Sequence, residues 1–578
     1  MHLVTTYSAG EGAPHERENV KDIRSRPTAQ ILIIGGGING IATFRDLAFQ
    51  GIDVVLVERN DYASGASAAS SHMIHGGIRY LENGEFRLVR EAVNERNGLL
   101  TIAPHYVSPL TTTVPIFSLL SGIVSAPLRF LTHKHGKPKE RGALLIKVGL
   151  TLYDSFSRDG GNVPRHRFLG RKKSFAELPH LNPDVKYTAT YCDASVHEPE
   201  RLALDVLKDG FAAGVRARCA NYLEAVGVAG GGVVLQDRET GVEFTFTAPV
   251  VINASGPWTD LTNRALGDET RYMGGTKGSH IVVDNAELLA ATDGRELFFE
   301  NDDGRIVLIY PLKGRVLIGT TDLEADVKDL PVCTEEEIDY FFRLVAHVYP
   351  TISLDRSHIV YRYAGIRPLP HHDDLQPGFV SRDYRIVPTT HPALPETTVL
   401  SLVGGKWTTF RALSEHLANE ALKVLGVART ASTVGMPIGG GRDFPRTSDA
   451  RSRWVAEYSG MLDSARVVQL LERYGTRASE VIDAIIATGM DAPLTTTSDL
   501  TTGEIAYFVT REDVVHLTDV VLRRTNLAFT GELTGAILDE LAGVLGGILG
   551  WSNVQREAEI AGAREELLVA HGVRLEVG

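Results

Sequence analysis

The sequence predicts an α/β protein: a parallel strand–helix unit of nucleotide-binding type, a β-rich region interleaved with it, and a helical C-terminal domain. Three observations predict this. Residues 30–58 read as strand, glycine turn, helix and strand; strand and helix patterns then alternate irregularly to about residue 435; past a Gly/Pro-rich stretch at 435–441 only helical periods remain. Mixed elements in non-sequential order fit an α/β domain that carries a second, antiparallel sheet.

The first unit is the clearest. Gln30–Ile34 is a short apolar, β-branched run, followed at once by Gly35-Gly36-Gly37. Ile41, Phe44, Leu47 and Ala48 recur at helical spacing, Gly51 closes that helix, and Val54–Val57 forms a second apolar strand ending at Glu58. Leu202–Phe211 then reads as helix, Pro249–Ala254 as a buried strand, and Arg305–Tyr310 with Arg315–Ile318 as paired strands about Lys313-Gly314. Thr398–Val403 is a strand leading through Gly404-Gly405 into a helix over Thr409–Leu422. The expected division is a loose tail at 1–29, cofactor-binding parts at 30–110, 190–270 and 361–435 interleaved with substrate-binding parts at 111–189 and 271–360, and a helical domain at 436–578. Its helices are expected at Ala450–Tyr458, Ala465–Tyr474, Ala478–Ala487, Thr502–Thr510 and Thr530–Leu549.

At 578 residues the chain exceeds one ordinary core. Its formal net charge of −13 argues against broad nucleic-acid binding, which needs a surplus of Lys and Arg. Three cysteines, Cys192, Cys219 and Cys333, none in a CxxC pair, supply neither a disulfide framework nor a Cys-based metal site; a reducing compartment and no metal are expected. Residues 1–29 lack the apolar stretch of a signal peptide. The uncharged stretch from Tyr106 to Leu128 is broken by Pro109, Pro115 and Pro127, which disfavours a membrane span. It reads either as a core-covering loop or, over Ile116–Leu131, as a segment that dips into a bilayer surface.

Gly35, Gly37 and Gly40 spell GxGxxG between strand and helix. One glycine makes the sharp turn, one lets the backbone approach a pyrophosphate, and one allows close helix–strand contact. The helix N-terminus offers free N–H groups to the anion. Glu58, about twenty residues on, suits a ribose hydroxyl and would repel a 2′-phosphate. The small residues Ser64–Ser71 follow, then His75-Gly76-Gly77; Gly404-Gly405, ahead of Lys406 and Thr408, aims a second helix N-terminus towards a flavin carbonyl. These features suggest FAD without proving it.

The stretches IIGGGING (33–40), SAASSHMIHGGIRYLENGEFRLVREAVNER (67–96), INASGPW (252–258), TKGSHIVV (276–283), LIGTTD (317–322), YAGIRPL (363–369), SRDY (381–384) and VGGKWTTFR (403–411), in this order, carry a resemblance to the FAD-dependent, respiratory-type glycerol-3-phosphate dehydrogenases within the D-amino-acid-oxidase-like flavoenzymes. It extends weakly through LERYGTRASEVI (471–482) and GEIAYFVTREDVVHLTDVVLRRT (503–525). His72, Trp407 and the N-terminal tail depart from the familiar pattern.

The resemblance implies a Rossmann-like FAD-binding domain, an antiparallel β-rich substrate (cap) domain and an all-helical C-terminal domain. It implies oxidation of glycerol 3-phosphate to dihydroxyacetone phosphate, with electrons passed to quinone or another acceptor. A cytoplasmic homodimer held peripherally on the inner face of the membrane is expected. Another polyol phosphate, such as erythritol phosphate, or an oxygen-using glycerol-3-phosphate oxidase is the alternative. Cofactor contacts are expected from Gly35, Gly36, Gly37, Asn39, Gly40, Glu58, Arg59, Ser67, Ser70, Ser71, His75, Gly76, Gly77, Ala254, Gly256, Trp258, Gly405, Lys406 and Thr408. For the substrate, the resemblance points to Arg367 and Arg382 as a phosphate grip, because arginine makes paired bonds to phosphate oxygens. Arg79, Tyr80, Lys277 and Lys406 are further substrate contacts, and His75 or His280 is the base that takes the hydroxyl proton.

Overall fold

The computed structural model describes residues 16–77, 86–118, 146–147, 150–151, 164–301, 306–371 and 383–576. Two sheets organise them. The first has six strands in the order Arg385–His391, Leu394–Val403, Val250–Asn253, Ile31–Ile34, Val54–Val57 and Arg218–Ala220, parallel except for the first hairpin. Its central strands, ILII and VVLV, are buried on both faces, as parallel strands between two layers must be. Ile31, Ile33, Val54 and Leu56 pack under the helices Ile38–Phe49, Pro199–Ala213 and Phe410–Leu425. Leu32, Ile34, Val55 and Val57 pack against the three-stranded meander of Leu223–Ala229, Gly232–Asp237 and Glu243–Phe246.

The second sheet runs Leu323–Glu324, Met273–Val283, Arg315–Gly319, Ile306–Leu312, Glu296–Glu300, Val107–Ile116, Tyr187–Val196 and Met73–Ile74; Ile359–Pro370 also pairs with Met273–Val283. All pairs are antiparallel except Glu296–Glu300 with Val107–Ile116. Strand alternation gives this sheet two cores. Ile281, Val283, Val316 and Ile318 pack on the helix Glu335–Val348, while Val282, Leu317, Leu308 and Tyr310 face the C-terminal helices.

Several expectations change. Only residues 1–15 of the expected tail lie outside the described residues; Glu18–Ser25 is a helix with Val20 and Ile23 fully buried, because those two apolar residues share one face. Val107–Ile116, Tyr187–Val196 and Ile359–Pro370 belong to the second sheet, so the expected parts 30–110, 190–270 and 361–435 each contribute residues to it. The Gly/Pro-rich stretch at 435–441 is tightly packed: Ile438 is in the first core, and a Cβ on Gly440 or Gly441 would strike backbone oxygens of Tyr474 or Ile102. The C-terminal helices Ser448–Tyr458, Ser464–Tyr474, Ala478–Thr488 and Thr502–Arg511 fall close to expectation; Gly535–Leu549 starts later than expected, and Asn553–His571 was not foreseen. These helices share a continuous core with the second sheet. Most of Ile116–Leu131 lies outside the described residues, and among the described ones no helix is long and apolar enough to cross a membrane.

Candidate active site

The glycine turn lies between Ile31–Ile34 and the helix Ile38–Phe49. Gly35, at φ +115°, has no room for a side chain: a Cβ would stand 2.7 Å from the carbonyl oxygen of Ala254. A Cβ on Gly40 would stand 1.9 Å from the oxygen of Gly35, so helix and strand touch through backbone. The segment after the second strand wraps this turn. Gly36 N–H donates to Glu58 Oε2 at 2.7 Å, Ala63 N–H to the oxygen of Gly36 at 2.9 Å, and Ile38 N–H to Ser67 Oγ at 3.0 Å. Burial pushes the Glu58 carboxyl up, against the lowering effect of the N–H groups of Asn60 and Gly36. The second glycine turn meets the first from the opposite side. A Cβ on Gly405 would stand 2.8 Å from the Asn39 amide nitrogen, Ser414 Oγ donates to the oxygen of Asn39 at 3.1 Å, and Trp407 Nε1 donates to the oxygen of Ser67 at 3.0 Å.

The small-residue run continues onto the second sheet. Gly365 lets Ala69 approach, since a Cβ there would stand 2.2 Å from that of Ala69. Tyr363 donates from its hydroxyl to the oxygen of Ser70 at 2.7 Å, and Ser71 Oγ lies 2.8 Å from His280 Nε2. His280 and Tyr363, directly paired across the strands, stack at 4.8 Å between centroids and 11° between planes. On the same face Thr276 pairs with Arg367, whose guanidinium donates to Thr320 Oγ1 at 3.0 Å and the oxygen of Thr321 at 2.9 Å and meets Asp322 at 2.7 Å. Burial holds the His280 imidazole well below the usual histidine range, and the Arg367 charge adds to this. Both effects favour the neutral form of the His280 ring.

A family model described as FAD dependent oxidoreductase matches residues 30–388, and one described as the C-terminal domain of alpha-glycerophosphate oxidase matches residues 431–556. The chain belongs to the FAD-dependent oxidoreductase family. The glycerol-3-phosphate dehydrogenase of Synechocystis sp. is 32% identical over 557 residues, covering 92% of this chain and 94% of the relative. The mitochondrial glycerol-3-phosphate dehydrogenase of Bos taurus is 28% identical over 594 residues, covering 97% and 76%. In fold, the chain is similar to a glycerol-3-phosphate dehydrogenase from Bacillus halodurans complexed with FAD, with a TM-score of 0.73 and 24% identity over 96% of this chain and 97% of that one.

The cradle of this flavoenzyme fits FAD. Gly37 faces open space on its ligand side, a Cβ there meeting only Ser67 Oγ at 3.2 Å, and Asn39 Oδ1 is buried with no hydrogen-bond partner among the described residues. Arg59 stands over the Trp258 ring at 4.9 Å, and Gly65 lies against the same ring. Gly256, at φ +62°, opens the short helix that carries Trp258. Lys406 follows the second glycine turn with its ammonium buried and Glu91 within electrostatic reach; Thr408 is buried beside it. The turn at His75-Gly76-Gly77 is pinned by Gly76 N–H donating to Asp193 Oδ1 at 3.0 Å, and Asp193 is paired with the fully buried Arg96 at 2.9 Å.

One candidate, Lys277, is placed away from the others. Lys277 pairs with Ile366 and so points to the opposite face from His280 and Arg367. Its ammonium donates to the oxygen of Val332 at 2.7 Å and to Glu337 at 2.8 Å, where it balances the capping box of the helix Glu335–Val348. Ser71, expected as a cofactor contact, also meets His280. Arg79, Tyr80 and Arg382 lie outside the described residues. Sequence reasoning missed Tyr363, Gly278 and Gly319. A Cβ on Gly278 would stand 2.3 Å from Arg367 Nη2, and one on Gly319 would stand 2.2 Å from the His280 ring. Their signal was present as glycines inside strands, which mark close approach.

Proposed function

We propose that this flavoenzyme oxidises sn-glycerol 3-phosphate to dihydroxyacetone phosphate. The observation that carries the reading is one sheet face bearing both a cationic fork, Arg367, and a buried neutral imidazole, His280, beside the serine run that leaves the FAD cradle. The names borne by the relatives agree with it. FAD supplies the acceptor for the hydride that leaves C2.

The chain's own residues do the rest. Arg367 binds the phosphate with paired, charge-assisted bonds, exchanging part of its hold on Thr320 and Thr321 for phosphate oxygens. His280 accepts the proton of the C2 hydroxyl, and its stack on Tyr363 fixes the plane of the ring during that transfer. Burial of His280 keeps water from that ring, while Arg367 is only partly buried. Lys406, after the second glycine turn, is proposed to contact the flavin or the substrate, and Arg79, Tyr80 and Arg382 are proposed from the sequence to complete the grip on the substrate. His75 is proposed to support the flavin.

Quinone is the proposed electron acceptor, with peripheral membrane contact and a homodimeric assembly as the accompanying proposals. Anaerobic titration with a panel of polyol phosphates tests the reaction. Glycerol 3-phosphate should bleach the flavin band, with quinone restoring it; no bleaching by this substrate while another polyol phosphate bleaches the band would overturn the assignment.

A further inference from the structure

The segment from Glu58 to Ser67 forms one wall of the cofactor cradle, yet it contains neither strand nor regular helix. It touches the glycine turn through Glu58, Ala63 and Ser67. Its middle is also held from elsewhere. Asp61 is fully buried, and its carboxylate is gripped by two arginines of the C-terminal helices. Arg524 donates to Oδ2 at 2.7 Å and to Oδ1 at 2.9 Å, and Arg523 Nε donates to Oδ2 at 2.5 Å. Asn221 adds a bond to Oδ1 at 3.0 Å, and the next residue, Tyr62, donates from its hydroxyl to Asp513 at 3.1 Å.

The two arginines lie on a short π-helical turn, Val520–Arg524, which brings successive side chains to one carboxylate. Each is itself anchored within the C-terminal helices: Arg523 to Asp519 at 2.7 Å and Arg524 to the oxygen of Glu512 at 2.7 Å. Both arginines are buried, so water cannot replace their bonds to Asp61. The bidentate geometry of Arg524 fixes direction as well as distance.

We propose that Arg523 and Arg524 are positioning residues for the cofactor: by fixing Asp61 they hold the Glu58–Ser67 wall against the glycine turn, so that the C-terminal helices set how tightly FAD is bound. The inference rests on the assignment of that cradle to FAD. It gives the helical domain a part in the flavin site that it never touches directly through these two residues.

The test separates this role from general stability. Deflavo protein is titrated with FAD at a temperature where each variant is folded by circular dichroism. Asp61→Asn should raise the dissociation constant about tenfold or more, the equivalent of about 1.4 kcal/mol. Leu541→Ala, which opens a cavity in the core of the same helical domain, should lower Tm while leaving the dissociation constant within about twofold. If Asp61→Asn does not fold, Arg524→Lys carries the same comparison, because lysine keeps the charge and loses the paired bonds. Wild-type affinity in both Asp61→Asn and Arg524→Lys, or equal weakening by Leu541→Ala, overturns the proposal. Failure of the wild-type protein to bind FAD at all would overturn the cradle assignment instead, and the proposal with it.

Discussion

Ser71 and His280 meet at 2.8 Å, hydroxyl oxygen to Nε2, although 209 positions separate them in the chain. The contact engages Nε2, whichever of the two groups donates, while Nδ1 is buried with no hydrogen-bond partner among the described residues. Ser71→Ala should therefore lower kcat by about tenfold or more, within the range that general base catalysis supplies, and leave KM and flavin retention near wild type. Ser71→Thr should restore most of the rate. Steady-state kinetics across pH checks this; an unchanged kcat and pH profile in Ser71→Ala would contradict it.

Arg367 occupies space that only a glycine opposite can leave. Arg367→Ala should lower kcat/KM for glycerol 3-phosphate by well over tenfold, since a charged phosphate contact is worth roughly 2–3 kcal/mol. Gly278→Ala should raise KM through the same group. Its Cβ would stand 2.3 Å from Nη2, and the far end of a long side chain yields more readily than backbone, so Tm should change little. Kinetics and thermal melts of the two variants measure both effects.

Gly37 sits at φ −75°, which any residue adopts, and a Cβ there meets only Ser67 Oγ. Gly37→Val should thus fold without the cofactor and yet emerge colourless, because the added methyl groups fill the space the pyrophosphate needs. A yellow, fully flavinylated variant would count against the cradle. Gly40→Ala should instead fail at folding, its Cβ falling 1.9 Å from the oxygen of Gly35.

His516 joins three parts of the chain. Its Nδ1 lies 2.8 Å from Glu559, its Nε2 lies 3.2 Å from Glu239, and the Tyr222 ring stands edge-on at 4.7 Å. Burial opposes the charged form, but the two carboxylates prevail and hold the imidazole well above its usual range. A raised folded-state value means that the contribution to stability is fully present below about pH 6.5, the unfolded value, and is lost as pH rises through the folded one. Tm should accordingly fall with rising pH above neutrality, and His516→Gln should flatten that part of the profile. Melting curves over pH would show whether the slope is lost.

The flavin cradle was legible because its parts are close in sequence. Gly35, Gly37, Gly40 and Glu58 lie within one strand–helix–strand unit, where periodicity and turn chemistry report the geometry directly. The C-terminal helices were legible for the same reason, apart from Asn553–His571. The pairing of Ile359–Pro370 with Met273–Val283 was not legible, because a strand's pattern says which residues share a face and nothing about which sheet it joins. Lys277 illustrates the cost of that silence. It sits three residues before His280, an odd spacing, which on a strand turns the two side chains to opposite faces.

By itself, then, the amino-acid order determined the local units and the glycine-rich turn of the cofactor cradle. Tertiary structure alone decided that Ser71 reaches His280, that Arg367 shares their face while Lys277 leaves it, and that Arg523 and Arg524 close on Asp61. The physical reason is range: hydrogen-bonded turns and hydrophobic periods act over a few residues and leave a mark there. Buried ion pairs and strand partnerships act between positions hundreds apart, and their directions exist only once the whole chain is packed.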